Sequence, residues 1–260
     1  MRVVRYRADG GSAYGILEDG LVRRLDGPVF EGPLPGPVVG ELDTLHLLAP
    51  CQPSKAVCVG RNYHGLLAVQ GRPVPTQPFT FLKSPNAVVG PGHPILRPHG
   101  VERLVYEGEL TVVIGRTLAS PGNSAMTPLQ DWQRYVFGYT CGNDVTALDW
   151  QDQTVQWARA KSADSFCPIG PWIETDLGDP GHLAVRTTVN GELRQDGSTA
   201  DMVFGIPALL SFISATLTLS PGDVILTGTP PGAAPLADGD VVEVELEGIG
   251  RLSNPVARGR

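Results

Sequence analysis

Glu107 and Glu109 flank a single glycine at the head of the stretch Tyr106 to Gly115, YEGELTVVIG. The stretch reads as a β-strand, because Val, Ile and Thr are enriched and Leu110, Val112 and Ile114 alternate with the other positions. Strand side chains two apart point the same way, so the two glutamates share a face. Paired carboxylates at one end of an otherwise apolar strand repel each other and lose hydration if buried. A divalent cation resolves both problems, and calcium, magnesium and manganese take oxygen ligands of this kind. An exposed strand end would leave the same pair solvated, and the spacing alone does not choose.

The tail repeats the pattern in Glu243, Glu245 and Glu247, interleaved with Val242, Val244 and Leu246 after an Asp238-Gly239 turn. That is ordinary half-buried alternation, with the charges in water.

The elements that must position the acids are short. Residues 2–25 read as an antiparallel meander with turns at Asp9-Gly10-Gly11 and Asp19-Gly20, and Pro28 to Pro37 as a linker-like loop. Ala56 to Gly60 and Phe79 to Lys83 read as strands, with a short helix or lid from His64 to Gly71 between them. Thr127-Pro128-Leu129-Gln130 has the form of a helix start, with an apolar face of Leu129, Trp132 and Val136 and a stop at Gly138. Tyr139 to Asp144 is expected to be a strand ending in a carboxylate. A hairpin turns at Asn190-Gly191, a helix runs from Ile206 to Leu217, and Val224 to Thr227 and Val241 to Leu246 complete the sheet. The expectation is a mostly β fold with short helices, as a roll or sandwich, with a small N-terminal β domain over residues 1–50 and a larger domain over 51–260.

The chain has 260 residues, 42% of them hydrophobic, which is enough for a sizeable core. Its 24 prolines and 32 glycines suit a turn-rich β protein better than a helical bundle. A formal charge of −7 argues against a nucleic-acid surface. There is neither a signal-peptide core nor an apolar run long enough to span a membrane, so the expectation is a cytoplasmic protein. Cys51, Cys58, Cys141 and Cys167 form no C-x-x-C pair and read as buried free thiols.

Several longer blocks run in one order: VGRNY (59–63), FLKSP (81–85), YEGELTVVIGR (106–116), GYTCGNDVTALDWQ (138–151), KSADSFCPIGP (161–171), SPGDVILTGTPPG (220–232) and EGIGRLSNPV (247–256). Together they resemble the fumarylacetoacetate hydrolase family from about residue 56 onward, and the front meander resembles the variable N-terminal module that many members carry. The resemblance implies the family's mixed β-roll fold. It makes Glu107, Glu109 and Asp144 ligands of a divalent cation, usually Mg2+ with Mn2+ or Ca2+ as alternatives. It makes Lys161 the active-site lysine and Thr229 a substrate contact, and it implies a homodimer. Arg61 and Lys83 are read beyond it, as cations for a substrate carboxylate. Asp149 and Asp164 are read as supporting residues, and His64, His93 and His99 as solvated.

One departure bears on the chemistry. Hydrolase and decarboxylase members often carry a His and a Glu three apart after the G-x-N-Y block, and those positions here are Leu66 and Val69. The implied substrates are 2-oxo or 2-hydroxy-dienoic dicarboxylic acids, such as 2-hydroxyhepta-2,4-dienedioate or its carboxymethyl precursor, handled through a cation-stabilised enolate in aromatic-acid catabolism. Hydrolysis needs a base to activate water, whereas tautomerisation needs one acid/base group, which Lys161 would supply if burial lowers its pKa. The expectation is therefore an isomerase or decarboxylase. The alternatives are an acylpyruvate-type C–C hydrolase, a catalytically lapsed 2-oxo-acid binder, or a purely structural β protein.

Overall fold

The computed structural model describes residues 1–119 and 127–259. Its centre is an 11-stranded mixed sheet. Across it lie Leu34–Glu41, Leu21–Asp26, Gly11–Glu18, Arg2–Ala8, Cys167–Glu174, Val136–Asn143, Gly108–Ile114, Val224–Leu226, Ala56–Gly60 and Phe79–Lys83, and the eleventh strand, Val88–Val89, pairs with Cys167–Glu174 off this path. A second sheet of five strands runs Glu192–Ser198, Ala184–Val189, Val241–Leu246, Gly250–Arg258, Ile95–Arg97. Helices are few and short; Ile206–Ser214 is the longest among the described residues. None is long and apolar enough to cross a membrane. The fold is mostly β, with an N-terminal β module.

Gly108–Ile114 is buried along its whole length. Its two faces serve different cores. Leu110, Val112 and Ile114 pack into a cluster with Val185, Val244, Leu246 and Leu210, from the second sheet and the longest helix. Val113, on the other face, packs with Leu226, Cys58 and Phe166. Gly108 lies where the second sheet presses closest: a Cβ there would come within 2.1 Å of Thr187 Oγ1. The glycine between the two glutamates thus permits sheet-on-sheet contact, while the acids occupy the opposite face.

The N-terminal meander is hydrogen-bonded into the large sheet, with Arg2 opposite Glu174 and Val3 opposite Ile173. Part of the Pro/Gly-rich stretch read as a loop is in fact the strand Leu34–Glu41. It lies at the sheet edge, where prolines remove no ladder bond that the sheet requires. The helix expected from Thr127 to Gly138 is also corrected. Only a 3-10 turn forms, Trp132–Tyr135, and Asp131 before it is left-handed at φ 50°. Val136 already pairs with Ile114 and Gly138 with Val113, so ladder bonds claim the second half of the would-be helix.

All four cysteines are buried and unpaired, and burial pushes the thiols of Cys51, Cys141 and Cys167 up to about 12. Glu243 and Glu245 flank Arg251 on the outer face of the second sheet, as ordinary alternation requires.

Asp223 anchors the turn that feeds Val224–Leu226. Its carboxylate pairs with Lys55 and accepts from the Ser54 hydroxyl at 2.7 Å and the Ser220 N–H at 2.8 Å. Burial alone would raise its pKa, but these partners outweigh burial and hold it below the ordinary carboxylate value. A depressed carboxyl contributes stability above the unfolded aspartate's pKa and loses it as pH falls through the folded value. Asp223→Ala should therefore cost about 2–4 kcal/mol in chemical denaturation at neutral pH. The gap to the parent should narrow as pH is lowered through the carboxylate range.

Candidate metal centre and active site

Antiparallel register builds the acidic cluster. Gly108 pairs with Asn143 and Glu109 with Gly142, so the residues just beyond, Glu107 and Asp144, meet across the ladder. The Asp144 N–H donates to the Glu107 carbonyl at 2.9 Å, and the Glu107 N–H donates to Asn143 Oδ1 at 3.0 Å. One carboxylate oxygen from each of Glu107, Glu109 and Asp144 lies within 4.8 Å of the others. An all-oxygen set of this spacing suits a hard divalent cation.

The charges around the cluster are unevenly balanced. Lys161 Nζ donates to Glu107 and Asp144, each at 2.8 Å. Lys83 donates to the other Asp144 oxygen and to the Val145 carbonyl at 3.0 Å. Glu109, 2% exposed, has no ammonium of its own. It accepts the Gly228 N–H at 2.6 Å, because Thr227 to Thr229 runs on beside Gly108 to Leu110. Burial, then the charges of Asp144 and Glu107, push Glu109 well above the usual carboxylate range. Burial pushes Asp144 up too, but Lys161 and Lys83 outweigh it and leave that carboxyl low. Three carboxylates thus face two ammoniums, and the unbalanced negative charge falls on Glu109.

Lys161 departs from the sequence expectation. Burial does favour its neutral form, but Asp144 and Glu107 outweigh burial and raise its pKa. The ammonium also sits 5.0 Å from the Phe81 ring centroid. Lys83 departs further. Expected as a cation for a substrate carboxylate, it is 1% exposed, spent on Asp144, and absent from the pocket wall. It is the last residue of a strand whose neighbour, Ala56–Gly60, carries it under the acidic cluster.

Glu107, Glu109, Lys161 and Thr229 line one pocket of about 110 Å³. That is far below the roughly 300–1,000 Å³ of pockets shaped for drug-sized ligands, and it suits a small acid. Thr229 Oγ1 donates to the Gly108 carbonyl at 2.9 Å and accepts from Gln195 Nε2 at 2.8 Å. Arg61 lines the same pocket and stacks 5.0 Å over Phe79. Its left-handed backbone, φ 60°, is held by Asn62, whose side chain bonds both Phe204 backbone groups and the Thr227 carbonyl. Leu66 reaches the pocket, Val69 is 76% exposed, and no histidine lines the wall. His64, His93 and His99 are exposed. Asp149 binds Arg103, and Asp164 accepts from Asn86, both outside the pocket. Larger cavities of about 610 Å³ exist, but the one beside Trp172 is walled by ions already paired, Arg2 with Glu174 and Arg251 with Glu245.

Reading the sequence missed Asn62, Arg72 and Gln151. Gln151 also lines the pocket, and its buried Oε1 has no hydrogen-bond partner. Its place at the end of GYTCGNDVTALDWQ was the available signal.

A carboxylate-lined pocket on the face of the large sheet turned away from the second sheet defines a class of mostly β proteins with a buried acidic site. Residues 55–257 match the model described as fumarylacetoacetate (FAA) hydrolase C-terminal, and residues 1–50 match Rv2993c-like, N-terminal; the chain belongs to the fumarylacetoacetate hydrolase family. It is 41% identical over 224 residues to the mitochondrial oxaloacetate tautomerase fahd2 of Xenopus laevis, covering 82% of this chain and 68% of that protein. The crystal structure of a 2-hydroxyhepta-2,4-diene-1,7-dioate isomerase from Mycobacterium marinum aligns with TM-score 0.89 and 42% identity, over 99% of this chain and 98% of that one. A maleylpyruvate hydrolase from Sphingobium sp. SYK-6, solved with manganese(II) and pyruvate, aligns with TM-score 0.79 and 29% identity over 100% of both chains.

Glu109→Gln keeps the side chain's shape and removes the unbalanced charge. The metal-free variant should melt no lower than the parent. Added Mn2+ should stabilise the parent, by about 2.7 kcal/mol at a hundredfold excess over Kd, and leave the variant unmoved. Equal Mn2+ stabilisation of both proteins would count against a cation at this site.

Proposed function

We propose that this chain is a divalent-cation-dependent isomerase of 2-oxo or 2-hydroxy-dienoic dicarboxylic acids, working in aromatic-acid catabolism. Decarboxylation ranks second and acylpyruvate-type C–C hydrolysis third. The observation that carries the ranking is the pocket wall: acids and one lysine are present, Leu66 stands where a base would, and no histidine is there. Hydrolysis must deprotonate water, and this wall offers no dedicated group for it. Moving a double bond requires only that one proton leave one atom and another arrive elsewhere.

In this reading Glu107, Glu109 and Asp144 hold the cation, Mg2+ first with Mn2+ or Ca2+ as alternatives. When bound, that ion supplies Lewis-acid polarisation of the substrate's carboxylate and neighbouring oxygen. Lys161 carries the proton. Its Nζ, kept as ammonium by the two carboxylates it touches, donates to the distal carbon of a 2-hydroxy-diene. The enol O–H proton then returns to the amine, so the lysine ends as it began. Thr229 and Arg61 line the substrate's path. Lys83 keeps Asp144 ionised from beneath and positions it rather than touching substrate. The isomerase and tautomerase among the relatives support the reaction type, and the manganese–pyruvate complex supports the ligand chemistry. A homodimer in the cytoplasm belongs to the same reading.

Lys161→Met should lower turnover of 2-hydroxyhepta-2,4-dienedioate by about 10²- to 10⁴-fold. Mn2+ affinity should be retained or rise, because the substitution withdraws an ammonium that competes for two of the same carboxylates. Rapid cleavage of fumarylpyruvate-type substrates without isomerisation would reverse the ranking. Tight oxalate binding with no turnover of dienedioate, oxaloacetate or acylpyruvate would mark a lapsed 2-oxo-acid binder instead.

A further inference from the structure

The pocket is charged at both ends, and Arg72, at the second end, has no assigned role. Arg72 joins Arg61 on its wall, and among the described residues neither is ion-paired with a carboxylate. Glu109 and Lys161, each 2% exposed, form the floor, while Arg61 is half-buried and Arg72 exposed. The pocket therefore runs from an acidic floor to a rim of two guanidiniums.

The backbone fixes both rim residues. The helix His64–Val69 ends in a Schellman turn, with the Arg72 N–H on the Leu67 carbonyl at 2.9 Å and the Gly71 N–H on the Ala68 carbonyl at 3.1 Å. Gly71 takes the left-handed conformation this turn requires, φ 62°. Pro73 follows and restricts Arg72 to extended backbone. Arg61 is held from the other side by its Asn62 neighbour and the Phe79 ring. Burial, then the charge of Arg72, lowers the pKa of Arg61, so the two guanidiniums feel each other. Like charges converging on one opening are relieved by an anion, and guanidinium forks match a carboxylate's two oxygens.

We infer that Arg72, together with Arg61, receives the distal carboxylate of the substrate, so that Arg72 sets a preference for dicarboxylic over monocarboxylic 2-oxo acids. This rests on the reading that the 2-oxo-acid end lies on the floor. A 2-oxo dicarboxylate then spans the pocket, with one acid group at each charged end. The small pocket volume favours a short acid.

Calorimetry on the Mn2+-loaded protein tests this with 2-oxoglutarate and 2-oxopentanoate, which share a carbon count and differ in the distal carboxylate. The parent should bind 2-oxoglutarate more tightly. Arg72→Gln and Arg61→Gln should each weaken 2-oxoglutarate binding about 10-fold or more, and leave 2-oxopentanoate within a factor of about two. Thermal melting should show both variants folded. A parent with no dicarboxylate preference would overturn the inference, as would a preference that survives both substitutions or an equal loss for both ligands. Oxalate separates the two levels of argument. If oxalate binds but no dicarboxylate preference exists, this inference alone fails; if oxalate does not bind, the floor assignment fails and takes the inference with it.

Discussion

Everything around the pocket answers to one electrostatic constraint: three carboxylates converge inside a sheet with two ammoniums to balance them. Buried charge is tolerated when it is paired and bonded, and costly when it is not. Asp144 is paired twice and Glu107 once; Glu109 has only a backbone N–H. The sheet can impose this because register is rigid. Antiparallel pairing across Gly108 and Asn143 leaves Glu107 and Asp144 no way to separate, and the period of a strand delivers Glu109 to the same side. The imbalance distinguishes the cluster from a closed salt-bridge network, in which every buried charge has its partner.

The two lysines illustrate how burial assigns different work to the same residue type. Lys83 ends its strand inside the sheet and spends its donors on Asp144 and the Val145 carbonyl, out of reach of the pocket. Lys161 ends a short helix, Ala158–Lys161, and enters the pocket from the side, under Phe81 and Trp157. Lys83 lowers the energy of an ionised Asp144. Lys161 does that too, but unlike Lys83 it also lines the pocket, which is why the proposed function gives the proton to it.

Much of this was legible in the chain, for identifiable reasons. The E-G-E spacing and the alternation after it determined which side the acids face, and the N-terminal meander and the Asn190-Gly191 hairpin followed from turn chemistry. The tail's Glu243 and Glu245 differ from Glu107 and Glu109 only in context, and it was the family-like blocks around the first pair that told the two apart. What failed was decided by tertiary pairing. The pattern from Thr127 to Gly138 is helical, yet Val136 onward pairs with the central strand. Lys83 looked like a strand-end cation because nothing local reveals that the end is buried. Arg72 gave no local signal either, since its meaning comes from the wall it shares with Arg61.

Leu66 and Val69 stand where the family resemblance places a His/Glu pair, on a helix whose ends are fixed by other groups. The helix still begins after Asn62's clamp and still ends in a Gly71 turn, so its length and pose owe nothing to the lost groups. Leu66 puts an apolar side chain against the pocket instead. Val69 points outward and contributes nothing there. With one amine and no imidazole on the wall, the proposed isomerisation asks only for proton exchange between substrate atoms, whereas hydrolysis would also consume water. Under the proposed function the change bears on hydrolysis first, because it leaves the wall without the His/Glu base that activating water calls for.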